Sequence, residues 1–237
     1  MSALSLQPVW SPQISVIVPV AADDASRLPV LIEQLATLPA NSEIVVCRTR
    51  GSTSPATPPG QLRIVDVLSP GGRARQMNVG ASRASGDWLW FLHVDSLLAP
   101  QAVSQLVRFA HADCNALGYF RLKFRDDGPR LALLNAWGAN LRSRVFGLPF
   151  GDQGFVLRRE LFFRLGAYDE TLPFGEDHLL VWRARQARVP LIRLRSTIAT
   201  SARKYARYGW LRTTLRHLSL TVRQAWPQWR RLKRQAR

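Results

Sequence analysis

Acidic residues are scarce in this 237-residue chain: 16 Asp and Glu stand against 33 Lys and Arg, giving a formal net charge of +17 at pH 7. The scarcity is greatest near the end, where Arg203 to Arg237 holds 11 Lys or Arg and no acid. Such an imbalance points to an anionic partner: nucleic acid, an acidic membrane surface or a phosphorylated substrate. Cysteine is nearly absent too. Cys47 and Cys114 are far apart and form no C-x-x-C pair. That argues for a reducing compartment with both thiols as small core residues, and against a disulfide framework or a thiolate metal site. No stretch approaches about 18 uninterrupted apolar residues, so no spanning helix is expected. Met1 to Pro12 has no basic segment leading into an apolar one, so no signal peptide is expected. Membrane contact, if any, is then expected to be peripheral. No recognised nucleic-acid-binding motif accompanies the charge, so specific nucleic-acid recognition is not expected.

What the chain does have is a core. A hydrophobic content of 46% over this length suffices for one large α/β domain or two small ones. Ile14 to Val20 is a β-branched apolar run bounded by prolines, and predicts a buried first strand. Leu28, Leu31, Leu35 and Leu38 follow at helical spacing. Glu43–Cys47 and Leu62–Val67 predict the next two strands, and the Ser-, Thr- and Pro-rich stretch Gly51–Gly60 between them predicts a loop. A helix from Gly71-Gly72 to about Ala84 precedes a strand running from Asp87 to Asp95, and a further helix spans about Pro100–Ala112. This alternation predicts a mostly parallel sheet with helices on its faces. Beyond it, Tyr119–Phe124 alternates like an exposed strand. Leu131–Phe146 predicts a helix, Gly154–Leu157 a strand, Leu161–Leu165 and Glu176–Ala187 helices, and Leu191–Ile198 a last strand. No linker separates these parts. The expectation is one domain over residues 1–202, with a nucleotide half at about 14–112 and an acceptor half at about 113–202, followed by a tail, 203–237.

Three segments carry candidate chemistry. The apolar strand Trp88-Leu89-Trp90-Phe91-Leu92 climbs to a lone carboxylate, Asp95, where the mouth of an open α/β sheet would hold a cation or a phosphate. Gly71-Gly72-Arg73-Ala74-Arg75 opens a helix whose free N–H groups and two guanidinium groups suit a diphosphate. Phe150-Gly151-Asp152-Gln153-Gly154 is either a capped turn or a bend that presents Asp152 and Gln153 to a substrate. Gly175-Glu176-Asp177 enters a helix, where acids are expected in any case. A carboxylate held there beside a cleft could also take a proton from an acceptor hydroxyl.

Taken in order, ISVIVPV, GRARQMNVGA, GDWLWFLHVDS, GDQGFVLRRELFFRLGAYDE and EDHLLVWRAR resemble the inverting family 2 glycosyltransferases of the GT-A fold, over about Ile14 to Ala202. With the later TSARKY (Thr200 to Tyr205), the set looks most like a bacterial subgroup named "transferase 2, selenodomain-associated". The resemblance implies transfer of a sugar from a nucleotide-sugar donor to an unidentified acceptor. Asp95 matches the last acid of the DxD-type motif, which would bind Mg²⁺ or Mn²⁺ bridging the donor diphosphate. Asp177 matches the catalytic base of the ED motif. By the same resemblance Arg73, Arg75, Asn78, His93 and Asp95 would bind the nucleotide donor, and Asp152, Gln153 and Glu176 would line the sugar and acceptor pocket.

The chain departs from the family pattern in places. The first acid of the DxD motif is replaced by His93, and the loop after the first strand reads Ala21-Ala22-Asp23-Asp24. The acid that usually ends the second strand is missing from Val46-Cys47-Arg48-Thr49-Arg50, where Arg48 or Arg50 could approach a phosphate instead. That loss leaves a second reading open, a catalytically silent relative that binds a nucleotide or a partner. The tail carries one apolar stripe, Tyr208, Leu211, Leu215, Leu218, Val222 and Ala225, with Arg207, Arg212, Arg216 and Arg223 off it. Pro227 ends the pattern between Trp226 and Trp229. Two arrangements fit this basic amphipathic helix: packed on its own domain, or lying on anionic lipid. The location expected is cytoplasmic, and in the second arrangement peripheral to the inner membrane face.

Overall fold

The computed structural model describes residues 11–52 and 62–235. Most of the Gly51–Gly60 loop and most of the N-terminal segment lie outside the described residues. The expected strands form. β1 (Ile14–Val20) lies between β2 (Glu43–Arg48) and β4 (Trp88–Phe91), parallel to both, and β3 (Arg63–Leu68) extends the parallel set beyond β2. The chain winds outward from β1 to β3, then crosses back to β4 on the other side of β1. The topological switch point, where α/β sheets open a ligand crevice, is therefore at the carboxyl ends of β1 and β4.

The sheet is more mixed than the alternating first half suggests. Its order is β3-β2-β1-β4-β7-β6-β8-β5. Here β5 is Leu97–Leu98, β6 Leu117–Phe124, β7 Val156–Arg158 and β8 Leu191–Thr200. β7 runs antiparallel to both neighbours, β6 and β8 are parallel, and the two-residue β5, too short to show any periodicity, pairs antiparallel with β8. β6 is an interior strand rather than an exposed one; its alternation comes from Arg121 and Lys123, which project outward between buried Phe120, Leu122 and Phe124.

Burial on both faces explains why the first strands read as unbroken apolar runs. One face, with Val16, Val18, Val46, Trp88 and Trp90, packs under α1 (Leu28–Gln34) and α3 (Ala102–His111). The other, with Ile17, Val45, Cys47, Leu89 and Phe91, packs under α2 (Arg73–Arg83), α5 (Arg159–Arg164) and α6 (Glu176–Gln186). α1 is shorter than the leucine spacing implies, with Leu35 and Leu38 buried beyond its end. Cys47 and Cys114 are both free, and burial pushes the Cys47 thiol up to about 12.

α4 (Ala132–Phe146), α7 (Arg203–Tyr208) and α8 (Trp210–Gln235) complete the chain, and a small third cluster joins Leu122, Phe124, Ala132, Ala136, Ala202 and Tyr205. α8 does not stop at Pro227 but continues through it. Proline removes one helical N–H, and the helix tolerates this where its surface is open: Arg223 and Pro227 are exposed, and Trp226 and Trp229 stack across that turn with ring centroids 5.4 Å apart. Among the described residues no helix is long and apolar enough to cross a membrane.

α2 sits close to the sheet because residue 80 has no side chain. A Cβ there would lie 2.4 Å from Cys47 Sγ and 2.6 Å from Ile17 Cγ2. Gly80→Ala should therefore destabilise the fold by about 1–3 kcal/mol through overpacking, read as a lower urea midpoint at unchanged slope.

Candidate active site

Two helix starts face one another at the mouth of the sheet. α2 begins after Gly71-Gly72 with no side chain capping it, which leaves N–H groups for a ligand. α6 begins after Gly175 with two acids in its first turn. Between them lies a cleft of 360 Å³ lined by residues 71–75, Glu170 and 172–177. Arg73 reaches across it to Glu176 at 3.5 Å, and Arg75 to Glu170 at 3.1 Å. The lining thus offers two guanidinium groups against three carboxylates, those of Glu170, Glu176 and Asp177.

Asp177 is fixed from two sides. Its Oδ2 accepts the N–H of Gly151 at 2.5 Å, and its Oδ1 accepts the N–H of His178 at 2.8 Å. A Cβ on residue 151 would stand 2.9 Å from that Oδ2 and 2.7 Å from Arg73 Nη2, so only glycine lets the 150–153 bend approach both groups. From outside the sheet, Gln224 of α8 donates from Nε2 to the carbonyl of Phe174 at 3.0 Å, holding the loop that leads into α6.

Some expected site residues take other posts. Gln153 is wholly buried rather than lining a pocket. Its Nε2 donates to the Phe120 carbonyl at 2.9 Å, and its Oε1 accepts from Ser143 Oγ and the N–H of Phe150. Asn78 does not border the cleft; its amide is spent on the backbone of Tyr168 and on Glu170. Arg48 is engaged in a two-pronged contact with Asp66 at 2.7 and 2.8 Å, and so is not held ready for a phosphate. Arg50 is exposed.

The strand expected to reach Asp95 leaves the sheet at Phe91, and Asp95 lies on the turn that follows. It is half-buried and makes no hydrogen bond or ion pair with a described residue. His93 presents a buried Nε2 without a hydrogen-bond partner. Burial, then the charges of Arg73 and Lys204, hold its pKa well below the usual value. Asp152 has one buried, unpartnered oxygen, Oδ1, in the field of Arg142, Arg73 and Asp177.

Arg142 went unnoticed in the sequence because no motif surrounds it. It is half-buried on α4, donates from Nε to the Leu148 carbonyl at 2.9 Å, and lies 3.5 Å over the Phe150 ring. Lys204 and Tyr205 belong to the TSARKY stretch, the one signal that could have led to them; burial, then Asp152, pushes the Tyr205 phenol up to about 12.

Burial, and then the neighbouring Asp177 carboxylate, raise Asp152 from 3.8 to about 6. The folded chain therefore holds this proton more tightly than the unfolded one. The stability it confers is complete at about pH 4 and below, and is lost as pH rises through about 6. Asp152→Asn, which keeps the neutral form, should flatten the fall in melting temperature between about pH 4 and 6 in thermal scans.

The comparisons with known proteins agree with this fold. The family model described as "Glycosyl transferase family 2" matches residues 15–167. Among solved structures, the mannosyltransferase PcManGT from Pyrobaculum calidifontis, in complex with GDP-Man and Mn²⁺, is similar at 16% identity and a TM-score of 0.67, over 97% of this chain and 70% of that one. TarS 1-349 of S. aureus is similar at 16% identity and a TM-score of 0.58, over 80% of this chain. GalNAc-T7 with UDP, GalNAc and Mn²⁺ is similar at 16% identity and a TM-score of 0.60, over 81% of this chain. The chain spans 60% of the TarS structure and 44% of the GalNAc-T7 structure. At these identities the likeness shows the fold, which is GT-A-like. No curated protein matches. Since the family model covers well over half of the sequence, the chain belongs to glycosyl transferase family 2.

Proposed function

We propose that this chain transfers a sugar from a nucleotide-sugar donor to an acceptor hydroxyl, with inversion and with the help of a divalent cation. The observation that carries this reading is the Asp177 carboxylate, fixed by two backbone N–H groups at the rim of a cleft whose far wall is an uncapped helix start bearing Arg73 and Arg75. Asp177 takes the proton of the acceptor hydroxyl. The acceptor oxygen forms its bond to the anomeric carbon as the bond to the diphosphate breaks on the opposite side. The leaving nucleoside diphosphate keeps the electron pair and is held by the first N–H groups of α2 with Arg73 and Arg75, displacing their contacts to Glu176 and Glu170.

The residues present fit a shared cation rather than a closed protein cage. Among the described residues no cluster of three His, Cys, Asp or Glu could hold a metal alone. Mg²⁺ and Mn²⁺ are commonly bound by one or two protein groups plus substrate phosphates. Asp95, with no hydrogen bond or ion pair to a described residue, and His93, whose buried Nε2 has no hydrogen-bond partner among them, are the two groups that would do so here. The three carboxylates of the cleft would also repel a diphosphate that arrived without a cation. When bound, the ion supplies Lewis-acid stabilisation of the leaving group.

The same reading divides the chain into residues 1–202 as the transferase domain, with its nucleotide and acceptor halves, and 203–237 as a membrane-facing tail. It places the protein in the selenodomain-associated subgroup and on the cytoplasmic side of an anionic membrane. Support for the tail's role comes from α8, which turns its apolar stripe outward. Leu211, Leu215, Leu218, Val222 and Trp226 are all more than half exposed, while Thr213, Gln224 and Ala225 face the body.

Asp177→Asn should lower transfer from a panel of nucleotide sugars by at least about 100-fold, while calorimetric binding of nucleoside diphosphate with Mn²⁺ persists. Turnover equal to wild type would remove Asp177 as base, and binding with no turnover in the wild type would make the chain a binding protein. Asp95→Ala should weaken the Mn²⁺-dependent part of that binding at least tenfold. Replacing Leu215, Leu218 and Val222 by Ser should abolish flotation on anionic vesicles.

A further inference from the structure

α4 is built inside out. Its inner side is small or polar: Ala132, Ala136, Ala139, Asn140 and Ser143 pack on β6 and α7. Its outer side carries Leu133, Leu134, Trp137, Leu141 and Val145, exposed by between 42% and 66%. A helix of a water-soluble surface has the opposite arrangement. α8 shows the same inversion, and the two helices meet. Asn135 of α4 accepts from Trp210 Nε1 at 2.6 Å and donates to Thr214 Oγ1 at 2.9 Å. On either side of this junction Leu134 and Leu211 are more than half exposed.

We propose that α4 and α8 form one lipid-facing platform, occupied by an anionic bilayer surface, on whose inner side the acceptor half of the active site is built. The inference rests on the membrane reading of α8 and extends it to a helix outside the tail. Contiguous exposed apolar surface of this extent marks an interaction site, and the charge around it selects the occupant. No acid stands between Asp127 and Asp152, and none follows Asp177, whereas 16 Lys and Arg lie between His178 and Arg237. A second copy of this chain would set like charge against like charge. Anionic headgroups would neutralise it. Trp226 and Trp229 are paired with Arg230 and Lys233, at 5.1 and 4.0 Å from ring to cation, so each ring can enter the acyl boundary while its cation stays among the headgroups. The platform also touches the chemistry. Arg142 on the body side of α4 lies over Phe150, next to the Gly151 that binds Asp177, and Gln224 on the body side of α8 holds the loop before Glu176.

The experiment uses the full chain and vesicles of phosphatidylcholine with and without phosphatidylglycerol. Replacing Leu133, Trp137 and Leu141 by Ser, with α8 intact, should lower the partition coefficient on anionic vesicles at least tenfold. Nucleoside diphosphate binding and the circular dichroism spectrum should stay unchanged. Brominated lipid should quench less of the total tryptophan emission in Trp137→Phe than in wild type. If the α4 variant partitions like wild type while serines at Leu215, Leu218 and Val222 abolish binding, the platform is overturned and the α8 reading stands. If neither set matters, both fall. A wild-type dimer in analytical ultracentrifugation that the α4 serines dissociate, with vesicle binding unchanged, assigns the face to a second copy and likewise overturns the proposal.

Discussion

Burial of β1 and β4 on both faces confines the chemistry of this protein to one rim. Ile17, Val18, Trp90 and Phe91 fill the space between the helical layers at this end of the sheet, so the charged groups that line the cleft, Arg73, Arg75, Glu170, Glu176 and Asp177, are on loops and helix starts beyond the strands. The crossover from β3 back to β4 opens the crevice there. Everything downstream follows from that opening: α2 aims its N-terminus into it, the turn with Asp95 follows the end of β4, and Gly151 of the 150–153 bend donates its N–H to Asp177 at the rim.

Within the rim, charge is arranged so that few groups are satisfied twice. Arg73 lies within electrostatic reach of His93, Asp152 and Tyr168 as well as pairing with Glu176. Asp152 and His93 each keep a buried atom unpartnered. A fold that leaves polar atoms unsatisfied in this way holds them at a cost in stability. Here both lie in the field of one guanidinium, that of Arg73, which is itself paired with Glu176.

β1, β2 and β4 were legible because two-sided burial writes a continuous apolar run. β3, an edge strand with Arg63, Asp66 and Leu68 exposed, was legible through its β-branched Ile64, Val65 and Val67, and family membership followed from five short motifs in order. The end of β4 was not legible. Leu92 and Val94 are as apolar as the strand before them, yet the ladder with β7 extends only from Trp88 to Trp90. Antiparallel insertion of β7 depends on contacts far apart in sequence. Gln153 and Asn78 were visible as residues at the right positions, but whether an amide faces a ligand or a carbonyl is decided by the strands and loops the fold brings to it. Arg142 had no local signal at all. The stripe on α8 was legible as a period and not as a direction, since periodicity names a face without saying what it faces.

Gln224 gives the C-terminal helix a second consequence. The residue that touches the Phe174 carbonyl is two positions beyond Val222 on the exposed stripe and shares its rigid helix. If the proposed function holds, anchoring and catalysis are mechanically one part: a change that retunes how firmly α8 holds a membrane surface would also move the Phe174 wall of the cleft, so membrane affinity and turnover would not evolve as independent traits.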